Sequence, residues 1–157
     1  MELSIMTKNS VEQKTKSPGI VMRFYRIMRF FEEHHCYILA KLVCYTIRIL
    51  FACVIPPTVQ IGKGCRMPHG LGIVIHQGAI IGDNTSIYQH VTIAGSGGGV
   101  PTVGCNCFIG TGAFLHGPIH VGDNVKIGAN AVVLTDIPEN STAVGVPAKI
   151  IKRKDVL

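Results

Sequence analysis

The sequence has no tryptophan, and only 15% of its 157 residues are charged, whereas 18 residues are glycine. This composition argues against long helices with charged outer faces, and it favours tight, regular turns. The length fits one domain, which would bury about two-thirds of the surface that its unfolded chain exposes.

Acidic residues are also scarce, since nine Asp and Glu stand against 15 Lys and Arg, for a net charge of +6. The basic residues are not grouped with aromatic side chains, so the sequence lacks the pattern of a nucleic-acid reading surface. An excess of basic residues favours the binding of a partner that carries phosphate groups. We therefore expect a nucleotide-containing cofactor and no nucleic acid.

The six cysteines show none of the paired two-residue spacing that is typical of zinc sites. The first 19 residues contain Lys8, Lys14 and Lys16 and lack the apolar core of a signal peptide. We therefore expect free thiols, no bound metal and a cytoplasmic location.

The longest apolar stretch, residues 37–56, is interrupted by Lys41 and Arg48. The uncharged run between them is far below the roughly 20 residues that a membrane-spanning helix needs. The stretch therefore predicts a buried or interface helix, and attachment to a membrane surface is a secondary expectation.

Apolar periodicity predicts one helix over residues 20–33 and a second over residues 37–52, with the second ended by the prolines that begin at Pro56. The residues before the first helix are polar. Together they predict an N-terminal segment, residues 1–54, of polar chain and two helices.

From residue 55 the sequence repeats with a period of six. An aliphatic residue recurs in each repeat, glycine often follows it, and a small or apolar residue comes four places later. Helices repeat near 3.6 and strands at two, so this period indicates a parallel β-helix whose aliphatic side chains stack along the interior. The aliphatic positions are Ile55, Ile61, Met67, Ile75, Ile81, Ile87, Ile93, Val103, Ile109, Leu115, Val121, Ile127 and Val133. The positions four places later are Val59, Cys65, Leu71, Ala79, Thr85, Val91, Cys107, Ala113, Ile119, Val125 and Ala131.

The period breaks twice, with two extra residues in MPHGLGIV and four in AGSGGGVP. A solenoid accepts extra residues as surface loops, and loops on a rigid scaffold often carry function. We therefore predict a mainly β fold: a β-helix over residues 55–140 with two functional loops, followed by a basic tail, residues 141–157.

Three segments carry a resemblance: MPHGLGIVIHQGAIIGDNTSIYQHVTIAGSGGG, VGCNCFIGTGAFLHGPIHVGDNVKIGANAVVLTDIP and GVPAKII. The chain resembles the hexapeptide acyltransferases over residues 55–151, within them the serine acetyltransferase-like branch. Pro-His-Gly and the short glycine-rich loop also resemble O-acetyltransferases of surface-polysaccharide synthesis. The resemblance implies a left-handed parallel β-helix, acetyl-CoA as co-substrate, and a homotrimer with its active sites between subunits.

By this resemblance His69 is the catalytic base. The chain departs from the family pattern where Pro68 replaces an acidic residue and where Val54 replaces an aspartate that orients the histidine. A second histidine of the family, which helps to bind serine, corresponds to residues 100–102. Serine or a sugar hydroxyl is therefore the expected acceptor. The implied acetyl-CoA contacts are Gly95, Ser96, Gly110, Thr111, Gly128 and Ala129, with Lys149 and Lys152 at the phosphates.

Two other functions use the same scaffold. A zinc-dependent carbonic-anhydrase type needs three converging ligands, and the histidines here lack its Gly-His and His-Gly spacing. A non-catalytic solenoid for assembly would release no thiol from acetyl-CoA. We prefer acetyl transfer because His69 lies at an insertion within a matching motif. We interpret His76, His116 and His120 as surface or interface residues, and His90 as a packed or interface residue, although it could assist the acceptor.

Overall fold

The computed structural model describes residues 17–152, and for Lys152 only the backbone. Two helices precede the repeats, α1 (Ile20–Glu33) and α2 (Tyr37–Phe51), which confirms both predicted helices. The second ends at Ala52, which adopts a left-handed φ of 51°, so the prolines that begin at Pro56 are not what ends it. The predicted polar segment before residue 17 and the tail beyond residue 152 lie outside the described residues.

Helix α1 packs onto the first coil of the β-helix. The hydroxyl of Tyr25 donates to the carbonyl of Val59 at 2.6 Å, and the Arg29 guanidinium donates to the carbonyl of Pro57 at 2.9 Å. The Arg26 guanidinium donates to the carbonyl of Ile61 at 3.0 Å. Two arginines of the helix therefore hold α1 to the backbone of the coil.

The described residues after α2 form thirteen short strands, all but the last of which run along the coils of a parallel β-helix. They are β1 (Gln60–Ile61), β2 (Val74–Ile75), β3 (Ile80–Ile81), β4 (Ser86–Ile87), β5 (Thr92–Ala94), β6 (Thr102–Val103), β7 (Phe108–Ile109), β8 (Phe114–His116), β9 (His120–Val121), β10 (Lys126–Ile127), β11 (Val132–Val133), β12 (Ser141–Val144) and β13 (Lys149–Lys152).

The strands stack into three sheets, which are the three faces of a prism. Face one contains β1, β3, β6 and β9, and face two contains β4, β7, β10, β12 and β13. Face three contains β2, β5, β8 and β11. The chain passes from face one to face two to face three in every coil, so each hexapeptide contributes one strand and one corner.

The register of the faces follows from the number of residues in a coil. Val74 pairs with Thr92, eighteen residues on, which is three hexapeptides. The two-residue insertion lengthens its coil, so that Gln60 pairs with Ile80. The four-residue insertion acts in the same way, and Thr92 pairs with Phe114. The extra residues therefore form loops outside the stack, and the strands of each face keep their pairing.

The predicted interior is confirmed at all thirteen aliphatic positions, each of which is at most 6% exposed. The positions four places later are buried as well, with one exception. Leu71 is 49% exposed, and Ile73 is fully buried in its place. The two extra residues therefore lie before this interior position, and the assignment of Leu71 to the core is wrong.

The described part of the predicted tail forms strands. Strand β12 pairs in parallel with β10, and β13 folds back to pair antiparallel with β12. Strands β12 and β13 therefore extend face two at the end of the stack. The division of the chain at residues 54 and 140 stays a prediction.

Burial of the inward cysteines predicts a selective thiol chemistry. Burial raises the pKa of the Cys65 thiol to about 11 and also raises the pKa values of Cys53 and Cys107. Because the thiolate is the reactive form, these cysteines should resist alkylation of the folded protein at pH 8. Cys36 is exposed and should react first.

This expectation can be tested with iodoacetamide and peptide mass spectrometry. The substitution Cys36→Ser should remove the fast phase of labelling, whereas denaturation should make all the thiols reactive. Fast labelling of Cys65 in the folded protein would show that it does not line the interior.

Candidate active site

The residues assigned to catalysis and donor binding lie at two corners of the prism. The turns that join face two to face three contain residues 67–73, 88–91, 110–113 and 128–131, and we call them the His69 corner. The turns that join face three to face one include residues 95–101, and we call them the loop corner.

His69 lies in the first coil, within the two-residue insertion, and it is exposed. The backbone around His69 packs on the first turn of α1 and on the residues just before it. The amide of Met67 donates to the carbonyl of Pro18 at 2.8 Å, and a Cβ on Gly70 would lie 2.5 Å from a methyl of Val21. Glycine at position 70 therefore lets the His69 segment lie directly on α1.

The His69 ring has an aromatic neighbour that sequence reasoning missed. Its centroid lies 6.0 Å from that of Tyr88, whose ring lies 5.0 Å from that of Phe108. Tyr88 occupies the His69 corner one coil further on, so counting hexapeptides could have found it. Among residues 17–152, no side chain hydrogen-bonds the His69 ring. Val54, at the family's aspartate position, is apolar and pairs with Val74 on face three.

Glycines line the His69 corner beyond Tyr88. A Cβ on Gly110 would lie 2.7 Å from the amide nitrogen of Ala129, and one on Gly128 would lie 2.8 Å from a methyl of Val144. Thr111 and Ala129 follow these glycines on the same turns. From the coil of His69 to that of Val144 the row spans four strand spacings, or about 19 Å. The corner therefore offers a long strip of backbone with few side chains.

The two predicted phosphate contacts lie at different ends of β13. Lys149 is exposed and pairs with Val144, so it stands at the far end of the glycine-lined row. Lys152 pairs with Ser141 at the other end of the strand. The structure thus brings Lys149, but not the backbone of Lys152, to the His69 corner.

Gly95 and Ser96 lie at the loop corner, across face three from His69. The amides of Ser96 and Gly99 each donate to the other's carbonyl, at 2.8 and 3.0 Å. The glycine-rich segment is therefore a tight turn with Gly97 and Gly98 at its tip. Within one chain, the expected donor contacts are consequently split between two corners.

Other histidines lie on the outer surface, away from His69. The amide of Gly78 donates to Nδ1 of His76 at 3.1 Å, and Nδ1 of His120 is 2.9 Å from the Thr102 hydroxyl. The His116 ring stacks on Phe114 with centroids 5.5 Å apart.

A separate groove of about 680 Å³ lies between α1 and face one. Its basic residues include Arg26, Arg29 and Lys63. Both arginines already donate to backbone carbonyls, and Arg29 also forms an ion pair with Glu33 at 2.8 Å. This groove therefore reflects the docking of α1, and His69 does not line it.

Among residues 17–152, no three His, Cys, Asp or Glu side chains lie where they could share a metal ion. Over the same residues, neither helix is long and apolar enough to cross a membrane.

Comparison with known proteins shows the class of protein to which the chain belongs. Residues 101–135 match the family described as bacterial transferase hexapeptide (six repeats). A solved serine acetyltransferase in complex with CoA superposes with a TM-score of 0.76 at 38% identity, over 83% of this chain and 55% of that one. The fold prediction is thereby confirmed, and the chain is a left-handed parallel β-helix of the hexapeptide-repeat transferases.

Two curated relatives define the family more closely. A serine acetyltransferase of Helicobacter pylori is 40% identical over 151 residues, which are 93% of this chain and 88% of the relative. One of Synechococcus elongatus is 36% identical over 154 residues, which are 95% of this chain and 63% of the relative. The chain therefore belongs to the serine acetyltransferase family. It spans just over half the length of the solved structure and under two-thirds of the Synechococcus relative.

Proposed function

We propose that this chain transfers the acetyl group of acetyl-CoA to the hydroxyl of a small acceptor, with His69 as the general base. The observation that carries the proposal is the position of His69 at the head of the glycine-lined row. An extended thioester fits such a strip, because glycine lets it approach the backbone. The names of the relatives make serine the first acceptor to test, and sugar hydroxyls are the alternative.

The reaction needs no covalent enzyme intermediate. His69 takes the proton of the acceptor hydroxyl while its oxygen attacks the thioester carbonyl carbon. The C–S bond of the tetrahedral intermediate then breaks, and His69 returns the proton to the departing thiolate. The products are the acetyl ester and CoA. Binding of both substrates contributes mainly by aligning them.

The Tyr88 ring supports the orientation of His69. No described carboxylate fulfils this role, because Pro68 and Val54 replace the acidic groups that the family pattern contains. The Tyr88 ring lies beside the imidazole, and the Phe108 ring packs against Tyr88. Contacts of this kind restrict the ring sterically.

A trimer would bring the donor contacts at the His69 corner of one subunit close to those at the loop corner of the next. The outer row of face three consists of Val54, Val74, Thr92, Phe114 and Val132 and carries no charge. By contrast, the outer row of face two includes Arg66 and Lys126. If face three turns towards a threefold axis, the His69 corner of one subunit meets the loop corner of the next. The amides at the tip of the neighbour's loop could then stabilise the oxyanion.

The face-three interface predicts a clear difference between two phenylalanines. Phe114 and Phe108 lie on the same coil and both point outwards, but on faces three and two. Phe114→Lys should convert the trimer into monomers of 16.9 kDa and abolish acetyl transfer, because three lysines would be buried together. Phe108→Lys should remain trimeric.

Light scattering on a sizing column measures both masses. A Phe114→Lys protein that is still a trimer would rule out face three as the interface.

An acceptor panel with detection of released CoA tests the proposed function itself. We expect release with L-serine or with a sugar hydroxyl, and no release without an acceptor. Absence of release with every acceptor would favour the non-catalytic assembly function.

The thiols and α2 bear on where the protein acts. All six cysteines are free, which supports a reducing compartment, and we propose the cytoplasm.

One outward face of α2 is apolar. It consists of four side chains that are 58–79% exposed, Ile38, Leu42, Tyr45 and Ile49. We propose that this face contacts an anionic membrane surface weakly.

Co-sedimentation with phosphatidylglycerol vesicles tests this contact. Some protein should sediment with these vesicles and less with phosphatidylcholine vesicles, and Leu42→Glu should reduce the sedimented fraction. Equal sedimentation of the wild type and the variant would contradict the role of α2.

A further inference from the structure

His90 has a left-handed backbone conformation, which glycine and asparagine adopt more readily than histidine. Its φ is 58°, in the left-handed region, and it lies three places after the buried Ile87. The same corner position in other coils holds asparagine or glycine. The asparagines are Asn84, Asn106, Asn124, Asn130 and Asn140, with φ between 54° and 58°, and the glycines are Gly64 and Gly112. Asparagine and glycine adopt this conformation with little strain.

Within residues 53–152, His90 is the single residue with positive φ that is neither asparagine nor glycine. A residue kept in an unfavourable conformation implies that its side chain contributes something an asparagine would not.

The His90 ring lies against the segment that carries His69. The amide of His90 donates to the carbonyl of Leu71 at 2.9 Å. A Cβ on Gly72 would lie 2.4 Å from Nδ1 of His90, so the imidazole occupies the space that a side chain at position 72 would fill. Gly72 itself is anchored, because its amide donates to the carbonyl of Phe51 at the end of α2, at 2.9 Å.

His90 lies where the acceptor and the thioester of the donor would meet. It is one coil from His69, on the turn between the coil of His69 and that of Gly110, and the glycine-lined row continues beyond it through Gly128 to Lys149. His90 remains exposed although its ring edge packs on Gly72. A molecule bound at this corner can therefore reach the imidazole.

We infer that the His90 imidazole binds the acceptor through an oxygen adjacent to the reacting hydroxyl. This inference rests on the proposed acetyl transfer. An imidazole can donate a hydrogen bond to a carboxylate oxygen, as in serine, or to a neighbouring hydroxyl, as in a sugar. His69 would then deprotonate the reacting hydroxyl while His90 holds the rest of the acceptor.

The other corners supply a matched substitution. His90→Asn keeps the left-handed backbone and removes the imidazole, whereas alanine would also introduce strain. For each acceptor that the wild type acetylates, we expect His90→Asn to raise the acceptor KM at least tenfold and to leave the KM for acetyl-CoA within twofold. The melting temperature should be unchanged or higher, because asparagine relieves the strain. Asn106→Gly, at an equivalent position on another corner, should change neither KM.

Three results would overturn the inference: an unchanged acceptor KM, an equal rise in both KM values, or a melting temperature lowered by several degrees. The last result would assign the ring a packing role. A wild type that releases CoA, combined with an unchanged KM in His90→Asn, refutes the inference and leaves the proposed function in place.

A binding measurement separates the two claims if the wild type transfers no acetyl group. Titration of the wild type with L-serine and with methyl glucoside should shift the imidazole NMR signals that His90→Asn removes. Such a shift without turnover would refute the proposed function alone. No shift with either probe would refute the role of His90.

Discussion

Replacing His69 with alanine should lower acetyl transfer by a factor of about 10² to 10⁴, which is the usual contribution of a general base. The substitution removes the one imidazole at the head of the glycine-lined row. It should leave the trimer and the melting temperature unchanged, because His69 is exposed and is not part of the buried core. The rate of CoA release at saturating acetyl-CoA and acceptor measures the effect.

His120→Ala is the matched control for this substitution. His120 is also exposed, but it lies on face one beside Thr102, far from the His69 corner. The control should keep normal turnover. Near-normal turnover of His69→Ala would remove His69 as the base, even if every other part of the donor site were correct.

Substituting Gly128 with aspartate should weaken acetyl-CoA binding by at least tenfold. The new side chain would enter the strip where the pantetheine arm is proposed to lie, and its negative charge would repel the phosphates. The position suits the experiment because a Cβ there meets the methyl of Val144, which can move. At Gly110, by contrast, a Cβ would press on the backbone at Ala129, so a substitution there would disturb the coil itself.

Calorimetric titration with CoA measures the loss, and Asn106→Asp supplies a matched control. It adds the same charge at an exposed position of the corner between faces one and two, where aspartate tolerates the left-handed backbone. The control should bind CoA as the wild type does. Unchanged affinity in Gly128→Asp would show that the donor lies elsewhere.

The interior of the β-helix could be predicted from the sequence because the period of six directs two side chains of each repeat inwards, the aliphatic one and the one four places later. Leu71 shows where such counting fails. The spacing from Met67 to Ile75 reveals two extra residues, but it does not say whether they come before or after the inward position between them. The structure settles this, because Ile73 is fully buried whereas Leu71 is 49% exposed.

The positions of the surface features could be predicted only by considering how three hexapeptides combine into one coil. Gly110 and Gly128 are eighteen residues apart, so their common corner follows from the sequence. The separation of Gly95 and Ser96 from His69 also follows, once each corner is counted in turn. Counting also places Tyr88 at the His69 corner, but the contact of its ring with His69 and the packing of His90 on Gly72 depend on the path of the insertion and do not follow from the count.

The ends of the chain were harder to predict for a different reason. The helix α2 ends at a left-handed Ala52, a residue type that carries no signal for a helix end. Strands β12 and β13 form a hairpin that pairs with face two, although the sequence after Val133 leaves the repeat. Pairing with an existing sheet edge can order a segment that has no period of its own.

The most direct test is a crystal structure of the protein, in its proposed trimer, with bound CoA. We expect the sulfur to lie about 3 to 4 Å from a ring nitrogen of His69, with the pantetheine arm along Gly110 and Gly128 and the neighbour's loop opposite. A sulfur bound at another corner, or an imidazole directed away from it, would contradict the central claim.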